Sequence, residues 1–404
     1  MEHLIKNRSI TPILTAALKI SPIVLLSGAR QVGKSTLSAT LFDNYAILDD
    51  VDLRINAIEN PKGFLDRIGK PVCIDEIQKA PNLLEAIKLV VDKNRVNGSY
   101  LLTGSANLLD MKKTKDTLAG RIIELSLYPL SAKEQNNKAD ENIVDQLFAK
   151  DFKTTPLNSN SIINHIINGG YPEVLRLENE LEKRLWFSSY ISTYIERDAR
   201  GLGEIREINN FFKFINVIAP RSATLLNKSR IANNASLKAN TVDSYITILA
   251  LLYQIELINP YSENIGKRFV KSPKLHLMDT GVLCHLLRIK NKHELNNSHY
   301  KGQIFETFIF SELRKHISFT EENTDIFHYR TSDSKEIDFI LSRGEKLLAI
   351  EVKASSSVNK KDFKHIIDFQ NKTTKEVTGI VFYMGEHVLE IDKKNFAVPF
   401  GMLF

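Results

Sequence analysis

The stretch Leu25-Leu26-Ser27-Gly28-Ala29-Arg30-Gln31-Val32-Gly33-Lys34-Ser35-Thr36 decides how the first third of this chain is read. Ile23 to Ser27 is a short apolar run of strand character, and Leu37 to Phe42 continues beyond the loop at helical spacing. Strand, glycine loop and helix form the setting in which G-x-x-x-x-G-K-[ST] holds phosphates, because loop N–H groups and a helix N-terminus face the anion. Gly28, Ala29, Arg30, Gln31, Val32, Gly33, Lys34, Ser35 and Thr36 are therefore expected to wrap ATP. Lys34 would reach the β and γ phosphates, and the Ser35 hydroxyl would meet Mg²⁺.

A second half of that site follows. Pro71-Val-Cys-Ile74 has the pattern of a buried strand and ends in Asp75-Glu76. An acid at a strand end can join the Mg²⁺ shell while the next carboxylate activates water, which fits hydrolysis better than binding alone. Ser99-Tyr-Leu-Leu102 predicts a third strand, ending in Thr103-Gly104-Ser105-Ala106-Asn107. Polar groups there share the sheet edge where open α/β folds place ligands, so Thr103 and Ser105 are candidates for sensing the γ phosphate. Arg30 and Arg121 are candidates to stabilise transition-state charge, Arg121 the better of the two because Gly120 lets the backbone come close to something; the simpler reading of each is a surface or ion-pairing arginine.

Taken together, Leu25 to Ser35, Ile74-Asp-Glu-Ile-Gln78, Leu101-Leu-Thr-Gly-Ser105, Leu118-Ala-Gly-Arg121 and Tyr128-Pro-Leu-Ser131 resemble the prokaryotic AAA-superfamily ATPases that end in a nuclease-like domain. The resemblance runs the whole chain. It implies an α/β P-loop core with a parallel sheet, and ATP turnover.

Composition sets the outer bounds. A chain of 404 residues, 43% hydrophobic and 25% charged, is long enough for two or three domains and excludes a disordered tail or a disulfide-stapled mini-protein. Only Cys73 and Cys284 occur, without zinc-site spacing, which points to a reducing compartment. The longest apolar runs fall far short of the roughly 20 residues of a membrane helix. Without a secretory leader pattern, a cytoplasmic location is expected. Net charge is +6, and residues 201–300 alone carry 13 basic against 7 acidic side chains. A local basic surplus is what a nucleic-acid partner would require, although a solvated basic face has the same composition.

That basic segment contains Lys228 to Asn234, a short Ser-Leu-Lys turn and a second apolar helix from Asn240, then strand-like Ile255 to Pro260 and Leu275 to Met278. The order predicts a winged helix. DNA contacts would come from Lys238, Asn240, Thr241 and Ser244 on the second helix and from Lys267 or Arg268 in the wing. Upstream, Asn137 to Ser161 lacks periodicity and predicts a loose connection, whereas Leu181 to Arg200 predicts one helix striped by Trp186, Tyr190 and Tyr194.

In the last hundred residues, Glu336-Ile-Asp338-Phe-Ile-Leu-Ser and Leu347-Leu-Ala-Ile-Glu351-Val-Lys353 form a predicted hairpin around Gly344. Alternation puts Glu351 and Lys353 on one face, about 7 Å apart. Charges on an otherwise apolar hairpin are costly without a partner, and a metal held by Asp338 and Glu351 is one solution. Glu306, on a mostly apolar helix, is a fourth candidate. The set Glu306, Asp338, Glu351 and Lys353 is similar to the PD-(D/E)xK restriction-endonuclease-like site, with Ile337 where that motif has proline. A Lys–Glu pair on a solvated edge is the bland alternative.

The expected fold is thus α/β: a P-loop ATPase domain over 1–135, a helical linker over 136–210, a winged helix over 211–290 and a PD-(D/E)xK-like α/β domain over 291–404. The expected function is ATP hydrolysis with Mg²⁺, coupled to a nuclease-like domain acting on nucleic acid, DNA above all, in a chain that could form homo-oligomers. The competing expectation is a nucleotide-operated switch that binds DNA or a protein without cutting.

Overall fold

The computed structural model describes residues 6–105, 118–202, 205, 207–263, 272–331, 333 and 335–404, apart from the side chains of residues 194, 201 and 202. It divides into two compact units: Met1–Leu130 with Leu251–Tyr253, and Ser131–Ala250 with Gln254–Phe404.

The first unit is built on five parallel strands, β1 (Ile23–Ser27), β2 (Tyr45–Ile47), β3 (Val72–Asp75), β4 (Tyr100–Gly104) and β5 (Ile122–Ser126), in the order β2-β3-β4-β1-β5. Strands β1, β3 and β4 are buried along their whole length, which is why they read as unbroken apolar runs rather than as alternating ones. Ile23, Leu25, Val72, Ile74, Tyr100 and Leu102 pack with Ile87 and Val91 of the helix Leu83–Lys93 into one core. Register then positions the chemistry: Ser27 pairs with Gly104 and Ile74 with Leu102. The ends of β1, β3 and β4 therefore meet at one sheet edge.

In the second unit the segment expected to be a loose connection contains a helix, Ile143–Ala149. Asn142 caps it, accepting from the Val144 and Asp145 N–H groups, and Ile143, Val144 and Leu147 are buried beneath it. The helix is too short for its 3.6-residue period to emerge from the polar residues around it. Further on, Glu180–Ser189 and Glu196–Leu202 are α-helical, joined by the π-turn Tyr190–Ile195. Trp186 stacks on Tyr190 with ring centroids 5.1 Å apart, and the Tyr190 hydroxyl lies 2.7 Å from that of Tyr171. Tyr190 is core and Trp186 half-buried against it; the Tyr194 side chain lies outside the described residues.

Helices Ile208–Ile218, Lys228–Ala235 and Ala239–Leu251 accompany a three-stranded antiparallel sheet of β6 (Thr224–Leu225), β7 (Ile255–Ile258) and β8 (Lys274–Leu277), ordered β6-β8-β7. Beyond the 17-residue helix Lys301–Ile317 come β9 (Asp325–Arg330), β10 (Glu336–Arg343), β11 (Lys346–Lys353), β12 (Glu376–Tyr383), β13 (Leu389–Asp392) and β14 (Asn395–Pro399). They form one mixed sheet ordered β13-β14-β12-β11-β10-β9, with β10 and β11 as the expected hairpin. No helix among the described residues is long and apolar enough to cross a membrane.

Candidate functional site

At the edge of the first unit the phosphate loop has the geometry its glycines require. Gly28 has φ +151°, and a Cβ there would come 2.1 Å from the Leu127 carbonyl oxygen. Gly33, at φ +97°, ends the loop immediately before the helix Lys34–Ala39. The Lys34 ammonium is buried and donates to the carbonyls of Gly28 at 2.9 Å and Ala29 at 2.8 Å, within the curve of the loop. Ser35 and Thr36 open that helix, exposed, as do groups that meet a ligand. A residue outside the motif braces this loop: Arg8 donates to Val32 O and to Tyr128 O, each at 2.7 Å.

The acid pair sits where register puts it. Asp75 is buried and accepts from the Thr103 hydroxyl, and the Glu76 N–H donates to Thr103 Oγ1 at 3.2 Å. Glu76 takes the left-handed conformation, φ 59°, which turns its carboxylate away from the strand line. Gln78 donates to Glu76 Oε2 and, at 3.0 Å, to Ser105 Oγ. Thr103 and Ser105 are thus linked to Asp75 and Glu76 rather than standing free. Ala106 and Asn107 lie outside the described residues. The adjacent Cys73 thiol is pushed up to about 12 by burial and then by the charge of Asp75, leaving it protonated and inert.

The two candidate arginines separate. Arg30 Nη1 lies 3.7 Å from Glu76 Oε1, within the phosphate site. Arg121 does not belong there. It precedes β5, whose Ile122 pairs with Ile23, so it stands at the opposite end of β1 from Gly28, about 16 Å of strand away. Its guanidinium instead clamps the Asp92 carboxylate, at 3.1 Å from Nη2 to Oδ2. That bond holds the Asp92 carboxyl below its ordinary range.

In the second unit Glu306, Asp338 and Glu351 lie near enough to feel one another's charge, with Lys353 Nζ 3.9 Å from Glu351 Oε2. Asp338 Oδ2 accepts from the Val352 N–H at 2.8 Å, fixing the two strands of the hairpin against each other. At the centre, however, is Lys274 of β8, 2% exposed. Its Nζ lies 2.6 Å from Glu306, 2.8 Å from Glu336 and 3.7 Å from Asp338. Burial alone would push this ammonium down, but the surrounding Glu306, Asp338 and Glu336 outweigh it and hold the group above its usual range. Glu306, Asp338 and Glu351 are raised, first by burial, with mutual repulsion adding to it for Glu306 and Glu351. Buried His276, two residues along β8, is held neutral by burial and by the Lys274 charge. At the Glu306 and Asp338 side of this donor set a divalent ion does not fit as it stands, because the Lys274 ammonium already lies 2.6 Å from Glu306 and 3.7 Å from Asp338. Among the described residues no group of three or more His, Cys, Asp or Glu side chains is placed to hold a metal.

On the helix Ala239–Leu251, Lys238 just ahead of it, Asn240 and Ser244 are exposed and Thr241 half-buried. Ser244 donates back to Asn240 O at 3.0 Å, and Lys228 pairs with Asp243 at 2.6 Å, which spends part of the local positive charge. Lys267 and Arg268 lie outside the described residues.

Three stretches match known domain families: residues 21–136 an AAA domain, 159–293 the domain of unknown function DUF8612, and 301–403 the domain of unknown function DUF4143. With the loop, the acid pair and the parallel sheet, the first match makes the N-terminal unit a P-loop domain of ATPase type. An uncharacterised protein of Mycobacterium tuberculosis is 25% identical over 401 residues, covering 98% of this chain and 84% of that protein. An uncharacterised protein of Haemophilus influenzae is 24% identical over 362 residues, with 82% of each chain covered. Among solved structures, a signal transduction ATPase with numerous domains and a tetratricopeptide repeat sensor, from Pyrococcus horikoshii, aligns at TM-score 0.28 and 13% identity. The alignment covers 78% of this chain and spans about 46% of that structure's length, a likeness too loose to define a fold.

Arg8, Gln78, Lys274 and Glu336 are the site residues that motif reading passed over. For Gln78 a signal existed, since it follows the acid pair by two residues; Glu336 likewise begins the strand that carries Asp338. For Arg8 and Lys274 there was none, because their partners lie 24 or more residues away.

Proposed function

We propose that this protein binds and hydrolyses Mg·ATP at the Gly28–Thr36 loop and uses that turnover to switch a nucleic-acid-binding C-terminal region that does not itself cut. The observation that carries the first half is the linked set Asp75, Thr103, Glu76, Gln78 and Ser105 beside the loop, a network suited to holding one water in line with a γ phosphate. Ser35 and Asp75 are the residues that would hold Mg²⁺, whose charge offsets that of the β and γ phosphates. Lys34 orients the phosphates, Glu76 accepts the proton of the attacking water, and Arg30 is the in-reach cation for developing charge.

For the second half, the helices Lys228–Ala235 and Ala239–Leu251 with β6, β7 and β8 have the order of a winged helix, in the most basic part of the chain. The sheet bearing Asp338, Glu351 and Lys353 has the residue pattern of a PD-(D/E)xK domain. Lys274 among the carboxylates favours the switch over the nuclease.

The test combines ATP turnover with supercoiled plasmid and Mg²⁺ or Mn²⁺, for the intact protein, Lys34→Ala and Lys353→Ala. Hydrolysis by the intact protein, about 10²-fold or more slower in Lys34→Ala, with plasmid left whole and retarded in a salt-dependent manner, is the expected result. Plasmid nicking that disappears in Lys353→Ala would replace the switch by the nuclease; no ATP turnover would remove the first half.

A further inference from the structure

A lysine buried among carboxylates can be an ordinary ion pair or can do the work of a metal ion. Three features of Lys274 separate these. It is enclosed rather than peripheral, at 2% exposure. It faces several acids at once, Glu306 at 2.6 Å, Glu336 at 2.8 Å and Asp338 at 3.7 Å, where a pair would need one. It also arrives from β8, a strand of the three-stranded sheet, whereas the acids come from the helix Lys301–Ile317 and from β10 of the six-stranded sheet.

An ammonium answers the carboxylates much as a hard cation does, with three hydrogens directed at oxygens. It differs in what it leaves open. With no coordination position to offer, it acts on a water or a phosphoryl oxygen only through charge and hydrogen bonds, without the direct ligation by which a catalytic divalent ion generates hydroxide at neutral pH. A divalent ion and an ammonium cannot share these oxygens, since like charges at such separations repel strongly in a poorly solvated site.

We propose that the Lys274 ammonium is the resident cation of the Glu306–Glu336–Asp338 cluster, standing where a divalent metal would otherwise bind, so that the wild-type chain takes up no metal at this position. The proposal concerns the C-terminal carboxylates alone and stands or falls independently of ATP turnover. Removing the lysine charge turns the cluster into a divalent-ion site.

Mn²⁺ binding to the full chain without nucleotide, followed by the electron paramagnetic resonance signal of the free ion, tests this. Only binding that disappears with Asp338→Asn is scored, which removes any contribution from the phosphate loop. Wild type is expected to show none at millimolar Mn²⁺. Lys274→Met is expected to bind one ion per chain, with a Kd at least about tenfold below the highest Mn²⁺ concentration at which wild type shows none, and with its melting temperature rising on Mn²⁺ addition. Asp338-dependent Mn²⁺ binding by wild type, or a folded Lys274→Met that gains none, overturns the proposal. Lys274→Gln serves if the Met variant does not fold. If neither neutral variant folds, the wild-type measurement decides alone, Asp338-dependent binding overturning the proposal and its lack upholding it.

Discussion

Arg8→Ala tests how much of the nucleotide site lies outside its motif. The Arg8 guanidinium bridges Val32 O in the phosphate loop and Tyr128 O beyond β5, each at 2.7 Å. A hydrogen bond from a charged donor contributes about 1.5–3 kcal/mol net, and half-burial places this pair at the lower end, for roughly 2–3 kcal/mol together. Arg8 touches the loop from behind, so the loss falls on the ordering of the loop before ATP arrives. At about 1.4 kcal/mol per tenfold, ATP should bind roughly 30- to 140-fold more weakly. Titration with a fluorescent ATP analogue reads this, beside a thermal melt to establish that the unit remains folded. Arg8→Lys, able to reach one carbonyl but not both, should fall between. An affinity within about twofold of wild type in folded Arg8→Ala would refute the reasoning and leave Arg8 as a surface contact.

Gly28→Ala places a methyl 2.1 Å from the Leu127 carbonyl oxygen at φ +151°. It should cost about 2–4 kcal/mol in denaturant-induced unfolding of the N-terminal unit and abolish ATP binding; unchanged unfolding would contradict the loop geometry. Arg121→Ala should leave ATP turnover within about twofold, because its partner is Asp92 at the far end of the sheet. A fall of tenfold or more that Asp92→Ala does not share would mean that Arg121 serves a neighbouring copy. The Glu351 carboxyl, raised first by burial, holds a proton in the folded chain that the unfolded chain releases near pH 4.5. Its stabilisation is full below that pH and is lost as pH rises toward the folded value, about 9. Calorimetry of the C-terminal transition should thus show a melting temperature falling from about pH 7.5 to 9, above the range in which unfolding lets buried histidines such as His276 and His316 take up protons; a rise across that interval would contradict the raised Glu351 carboxyl.

The phosphate loop was legible because its chemistry is contiguous: nine residues carry the turn, the cation and the hydroxyl, and a parallel register brings Asp75 and Thr103 to the same edge. Arg121 was misplaced by the same kind of local cue. Gly120 suggested a close backbone approach that the fold does not have, a Cβ there meeting nothing within 4 Å, and only strand direction reveals which end of β5 Arg121 precedes, a property of the assembled sheet. The hairpin of Asp338 and Glu351 followed from alternation, a local periodicity. Lys274 had no such trace. In sequence it is one more cation in a basic segment, and only packing of β8 against a helix and strand 32 and more residues later turns it into the counter-charge of that hairpin. The helix Ile143–Ala149 escaped for a related reason, since burial of three residues, rather than intrinsic pattern, is what fixes it.

The Lys274 cluster also bears on modularity. Family boundaries part this region between residues 293 and 301, leaving Lys274 on one side and Glu306, Glu336 and Asp338 on the other. A fragment ending at the first boundary would carry a buried ammonium with these acids removed, and one beginning at the second would carry a nest of buried acids with no cation. Each half lacks the charge that makes its own interior tolerable, so the two stretches should fold as one piece despite reading as two.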